Sequence, residues 1–343
     1  MRYLPCPLVF QLLGVAAGAT LLVHTWTLWL LAFTALIVAA AILPVARLGE
    51  RYRVPRAVTV LGVYVLCAGV LALMGRLLWP ALVEQWQQFV VQLPRLLENL
   101  KGWAGDLGWL WGRAELPTPK AESLQGLAAT LIENTMRVTA GALGAVVGLL
   151  AILVIAAYLV IDAERLGAAL LRLLPPAQRD IAAALAEPVL ARIGGYVRGQ
   201  IVVSLCVGTV LAIGLSALGV RYGLLIGALA AVLNVVPFVG SLAAALLGIL
   251  SALNQSLALA VATTALFWGT TLLEGKILVP QLVGRATGLH PLAVMLVLLA
   301  GAQLAGLVGA LVAVPLLAAA WEIVRALWVL PAAASRAGRP PAS

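Results

Sequence analysis

The chain has 343 residues, of which 63% are hydrophobic and only 10% charged, with a net charge of +9. Soluble domains average about 25% charged residues, so a mean hydropathy of +1.08 excludes a water-soluble globular domain and sets the fold class as an all-α polytopic membrane protein. Cys6, Cys67 and Cys206 are dispersed through apolar context, which argues against a disulfide framework or a metal site. The cations sit in loops rather than in a stripe interleaved with aromatics, so no nucleic-acid partner is expected.

Apolar runs near the ~20 residues that cross hydrocarbon cover residues 8–24, 26–45, 57–79, 138–161, 201–220, 223–253, 257–273 and 291–320. They predict about eight membrane segments. No cleavable leader is expected, because the first run lacks a small-residue cleavage end and a second follows at once. The loop ARLGERYRVPRA places Arg47, Arg51, Arg53 and Arg56 against Glu50 alone, which reads as cytoplasmic by the positive-inside rule. Counting outward puts residues 80–137 outside and residues 163–200 inside, and leaves both termini in the cytoplasm. The organisation is then three N-terminal membrane segments (1–79), an extracytoplasmic amphipathic insert (80–137) and a fourth segment (138–162). A cytoplasmic amphipathic linker (163–200), a C-terminal transport core (201–330) and a cytoplasmic tail (331–343) complete it.

Inside the insert, Leu82, Trp86, Phe89, Leu93, Leu96 and Leu100 step by fours and threes, the spacing of an amphipathic helix. Pro94 is expected to kink or restart it. A second helix is predicted from Thr118, a capping residue followed by Pro119, burying Leu124, Leu127, Leu131 and Ile132. These helices either lie on the membrane surface or pack against copies of themselves. In the linker, Ile181, Leu185, Val189, Ile193 and Val197 predict a helix lying in the interface and broken at Gly194–Gly195.

The run 223–253 would measure roughly 46 Å as a straight helix, against a hydrocarbon core of roughly 30 Å. Its middle reads Asn234-x-x-Pro237-x-x-Gly240. Proline costs a helix interior about 3 kcal/mol and glycine about 1 more, so a segment that only spans lipid has no reason to hold both. Two readings fit: one long kinked helix, or two half-helices in a re-entrant hairpin. Non-helical backbone at membrane depth persists only when buried in protein or lining a watery cavity. Broken helices near the midplane are how many transporters build substrate sites.

Glu274 and Lys276 end the next apolar run, and such charges cost about 2.5–3.5 kcal/mol at a helix centre. They belong at the interface or in a polar cavity. Glu274 is the candidate titratable site residue, while His24 and His290 read as interfacial. The last run carries Gly301, Gln303, Gly306 and Gly309 at its middle and Pro315 after them, and Leu307-Val308-Gly309 aligns with Phe238-Val239-Gly240. Paired interruptions in two apolar segments point to a transport site. The candidate pathway residues are therefore Asn234, Pro237, Gly240, Glu274 and Gln303, with Gly301, Gly306, Gly309, Pro280 and Pro315 as hinges or helix breaks. The sequence lacks a zinc-protease helix, a phosphate loop and a nucleophile elbow. An enzyme, a cofactor and drive by the chain's own ATP hydrolysis are accordingly not expected.

The blocks GGYVRGQ, GLLIGALAAVLNVVPFVGS, LEGKILVPQLVGRATGLHPL and GAQLAGLVGALVAVPLLA stand in this order between Gly194 and Ala318. With them the chain resembles the autoinducer-2 exporter family, also called PerM-like permeases. The N-terminal half matches in layout. The resemblance implies a multi-spanning secondary carrier of about eight segments that assembles as a homo-oligomer, a pentamer in described cases. Family members include exporters of a quorum-sensing furanone and proteins reported as sodium or proton antiporters. It carries over Asn234, Pro237, Gly240, Glu274, Pro280, Gly284, His290, Pro291, Gly306, Gly309 and Pro315. Ser241 stands where proline often follows the glycine, and Lys276 where asparagine is common. The lysine disfavours a simple cation path and favours an anionic or neutral solute.

Together these readings give a secondary transporter, an exporter or ion-coupled carrier, of a small solute across the inner or plasma membrane. A sodium or potassium/proton antiporter and a non-transporting oligomeric scaffold are the alternatives. The expected partners are the lipid bilayer, a small solute and/or a monovalent cation or proton, and further copies of the chain.

Overall fold

A computed structural model describes residues 24–107, 146–237, 239–284 and 288–329, together with Thr20 and Gly144. Among them every regular element is a helix. In chain order these are α1 (Trp26–Arg51), α2 (Arg56–Leu107), α3 (Val146–Ile161), α4 (Ala163–Leu173), α5 (Pro176–Ala217), α6 (Gly223–Leu233), α7 (Val239–Leu253) and α8 (Leu257–Leu273). A π-helical stretch, Glu274–Gly284, continues α8, and α9 (Pro291–Val324) follows, with a short π-helical stretch, Arg325–Val329, after it. The first apolar run up to residue 23, the helix predicted from Thr118 and the tail from residue 331 lie outside the described residues. By length and composition alone, five helices, α9 among them, are long and apolar enough to cross a bilayer, or six if the bent pair α3–α4 is one span. The expected eight is therefore not reached among the described residues.

The chain divides into two compact units. The first holds Met1–Ala57, Gly148–Gly194 and Leu292–Ser343, and the second Val58–Val147 and Gly195–Pro291. The division falls at Gly194–Gly195, yet the interfacial helix expected to break there does not. α5 runs unbroken for 42 residues and accommodates Pro188. Its stripe passes from a half-exposed Ile181 (51%) to a buried Ile193 (5%). Ile193, Gly194 and Tyr196 are buried there, so the stripe ends as the packed face of a long helix that continues past its glycines. Similarly, α2 continues through Pro80 and Pro94, so Pro94 does not restart it.

In the first unit, α3 hands over to α4 with a bend of 81°. Arg192 of α5 and Glu322 of α9 form an ion pair, each side chain about one-sixth exposed or less. α9 itself is not one rod. Ala305 and Gly306 leave helical geometry, Gly306 at φ 58°. A Cβ on Gly301 would stand 2.5 Å from the Gly309 carbonyl oxygen. Residues eight apart in a straight helix are separated by about 12 Å, so this contact requires the chain to fold back. α9 is a helical hairpin whose first arm, residues 292–304, measures only roughly 20 Å. The glycines allow the two backbones to touch at that point, and Ala313 completes the contact.

In the second unit, α5 and α6 run antiparallel and meet through small residues. Gly208 faces Ala231, Ala212 faces Gly227, and Ser216 faces Gly223, each pair leaving no room for an added Cβ. The four-residue spacing on both helices puts these residues on one stripe. That is how membrane helices approach closely without a hydrophobic drive between them. α6 and α7 have 11 and 15 residues, or roughly 16 and 22 Å, so neither spans roughly 30 Å of hydrocarbon. They pack on each other, so the run 223–253 is a helical hairpin and not one kinked rod. α7 packs on α8, with Gly248 against Phe267, and Gly214 of α5 meets Leu266.

The base of this hairpin is held by the start of the insert. Phe89 of α2 is buried and stacks edge-on against Tyr222 at 5.5 Å. The N-terminal part of the amphipathic stripe therefore packs within its own chain. Gln85 Oε1 accepts the Leu225 amide at 2.9 Å, satisfying one of the donors that the first turn of α6 cannot pair internally. Ser251 Oγ donates to the Arg221 carbonyl at 2.9 Å and ties α7 to the same turn. Tyr222 there takes the left-handed conformation, φ 64°.

Candidate functional site

The tip of the α6–α7 hairpin brings together Asn234, Gln200 and Glu274 of the second unit. α6 ends at Leu233, and Asn234 follows as its C-terminal cap. Pro237 cannot supply an amide to continue the helix; it sits half-buried in the turn. Gly240, in the first turn of α7, is buried against the Asn234 backbone, where any Cβ would overlap it. A glycine here lets the two arms close on the asparagine. Asn234 has no exposed surface at all.

Two helices answer that buried asparagine. Its Nδ2 donates to Glu274 Oε1 at 2.9 Å, and its backbone carbonyl accepts from Gln200 Nε2 at 2.6 Å. An ionised carboxylate only accepts, so the Asn234 amino group must turn toward Glu274 and its Oδ1 must turn away. Among the described residues, no donor reaches that Oδ1. A buried acceptor left unpaired costs about 1–3 kcal/mol. The tip thus holds one carboxylate and one acceptor that a donor or a cation would satisfy.

Glu274 owes its place to a change of helical register. The chain leaves α8 and widens into the π-helical stretch, which begins with Glu274 and contains Pro280. Such widenings are rare and frequent at functional sites. The stretch lies close on α5, where a Cβ on Gly199 would stand 2.5 Å from the Leu282 carbonyl. Gly199 and Gln200 are neighbours, so one turn of α5 both admits the π-helical stretch and reaches the hairpin tip. Lys276, two residues from Glu274, is exposed.

Of the residues predicted from sequence, the structure brings Asn234, Gly240 and Glu274 together. Gln303 belongs to the first unit, where it is exposed on the first arm of α9. Gly301, Gly306 and Gly309 mark the reversal of α9, whereas Pro315 is buried within its second arm and the helix continues past it. Pro280 lies inside the π-helical stretch, and His24 and His290 are exposed. Gln200 was missed. It closes the block GGYVRGQ and stands one residue before an apolar run, and a long amide in that position was the available signal. Only the fold tells that it points at a hairpin tip.

The architecture is that of a polytopic helical membrane protein in which a hairpin too short to span buries a polar tip. The sequence profile described as "AI-2E family transporter" matches residues 8–328, and the chain belongs to that family of membrane transporters. Two Bacillus subtilis relatives, YrrI and YueF, each bear the name "Putative transport protein". YrrI is 30% identical over 84% of this chain and 83% of its own length. YueF is 26% identical over 80% and 77%. YhhT of Escherichia coli K12, which bears the same name, is 26% identical over 90% of this chain and 85% of its own.

Proposed function

We propose that this transporter is a secondary carrier, moving a small solute across the inner or plasma membrane on an ion gradient, with the Asn234–Glu274 pair as the polar centre of its path. The observation that carries the reading is the fully buried Asn234 at the hairpin tip, bonded to Glu274 at 2.9 Å, with an Oδ1 that no donor reaches among the described residues. Ionisable residues within membrane segments are costly and mark ion and substrate routes. Broken helices at such positions free backbone groups toward a cavity. When Glu274 is ionised, it fixes the amide. When it takes a proton, it can donate instead, and the amide is released to turn. Loading a proton or cation at this pair therefore changes which groups the tip presents to a solute.

The test is flux from purified protein in liposomes that enclose a pH-sensitive dye, under sodium, potassium and proton gradients in turn. The expected result is ion-dependent proton movement that Glu274→Gln abolishes. Equal movement with Glu274→Gln removes that carboxylate from the coupling. Silence from both proteins overturns cation–proton exchange as the driving reaction.

A further inference from the structure

We propose that α4 is a lipid-docking helix, seated in the headgroup layer and held there by anionic phospholipid through Arg165 and Arg172. α4 leaves α3 at 81°, so if α3 crosses the bilayer, α4 runs along its surface. Its level is fixed independently. Arg56, the first residue of α2, bonds both Glu50 near the end of α1 and Glu164 in the first turn of α4. The end of one apolar helix, the start of the next and the start of α4 thus meet at one height, which is where a membrane surface lies.

The helix has the composition for that position. None of its residues is buried. Leu166, Leu170 and Leu173, at spacings of four and three, are 39%, 65% and 81% exposed. They form one apolar stripe that is increasingly open toward its C-terminal end among the described residues. Arg165 and Arg172, seven apart, share the flank of that stripe, and the Arg165 side chain is 89% exposed, reaching Asp162 only at 3.8 Å. Arg179 donates to the Arg172 and Leu174 carbonyls at the C-terminal end of α4. Arg51 and Arg53 of the neighbouring turn are exposed as well.

Leucines over a basic flank are the pattern of a helix sunk to the acyl–headgroup boundary, and juxtamembrane cations attract anionic lipid. A second copy of the same face would instead set like charges side by side.

The experiment uses the full chain with its three cysteines changed to serine and Leu170→Cys spin-labelled. The protein is placed in vesicles of phosphatidylcholine alone or in equimolar mixture with phosphatidylglycerol. With the anionic lipid, the label should become accessible to oxygen and shielded from a water-soluble nickel complex. A label that stays open to nickel overturns the docking. Dipolar broadening between labels would seat a second copy on the face and overturn it as well. Arg165→Gln and Arg172→Gln, both at exposed positions, should each weaken phosphatidylglycerol retention about fivefold without changing phosphatidylcholine retention. Unchanged phosphatidylglycerol retention would contradict the anionic part.

Discussion

The two helical hairpins, α6–α7 and α9, use one device for different ends. Each has an arm too short to span, and each has a glycine just beyond its tip that lies against the backbone of the opposite arm, Gly240 on Asn234 and Gly309 on Gly301. In α6–α7 the tip closes on a buried asparagine served by Glu274 and Gln200. In α9 the closing residues are Gly301, Ala305, Gly309 and Ala313, with no side-chain polar group among them. A reversal of the chain in a membrane therefore needs only close backbone approach. Polar side chains at such a reversal are an addition, and they set the α6–α7 hairpin apart from α9.

The sharpest way to break this comparison is to remove the shared device. Gly240→Leu and Gly309→Leu each force a side chain into backbone that cannot yield as a side-chain end would. Each should cost about 3 kcal/mol or more. Loss of monodisperse, folded protein in detergent on size exclusion is the readout, and it should be similar for both hairpins.

The next effect separates them. Asn234→Leu removes the Glu274 contact and should lower transport at least tenfold while destabilising the fold by about 1–3 kcal/mol. A thermal melt of the purified variant, run beside the flux assay, keeps the two quantities apart. Gly306→Ala tests a smaller term. Gly306 has φ 58° and ψ −142°, backbone that is essentially reserved for glycine, but open space around its Cα, so alanine meets strain without a clash and should cost about 1–3 kcal/mol. The smallest effect is at the base of the first hairpin, where Gln85→Ala leaves the Leu225 amide without its partner. About 1 kcal/mol is expected, seen as a modest drop in melting temperature with transport retained.

Much of this was legible in the sequence because its signals are local. Charge spacing and apolar length located α1, α2, α8 and α9. Proline and glycine in an uncharged run located the break at Asn234–Gly240, because no neighbour is needed to make those residues interrupt a helix, while the choice between kink and hairpin came from the packing of α6 on α7. Three features were not legible. The continuity of α5 past Gly194–Gly195 and of α2 past Pro94 runs against local propensity, which is a weak guide inside a long helix. The role of Gln200 depends on which helix lies against a tip, and sequence spacing does not carry that. The reversal of α9 has no proline at its turn. Its glycines read equally well as close-packing sites, and only the contact of Gly301 with Gly309 decides between the two.

The most direct test of the central claim, that the polar hairpin is the transport centre and the apolar one is not, is ion-driven flux in liposomes from Asn234→Leu and Gln303→Leu, both matched for inserted protein. The account predicts flux lost in Asn234→Leu and near that of the unaltered chain in Gln303→Leu. Retained flux in Asn234→Leu, with loss in Gln303→Leu, would move the centre to α9 and contradict it.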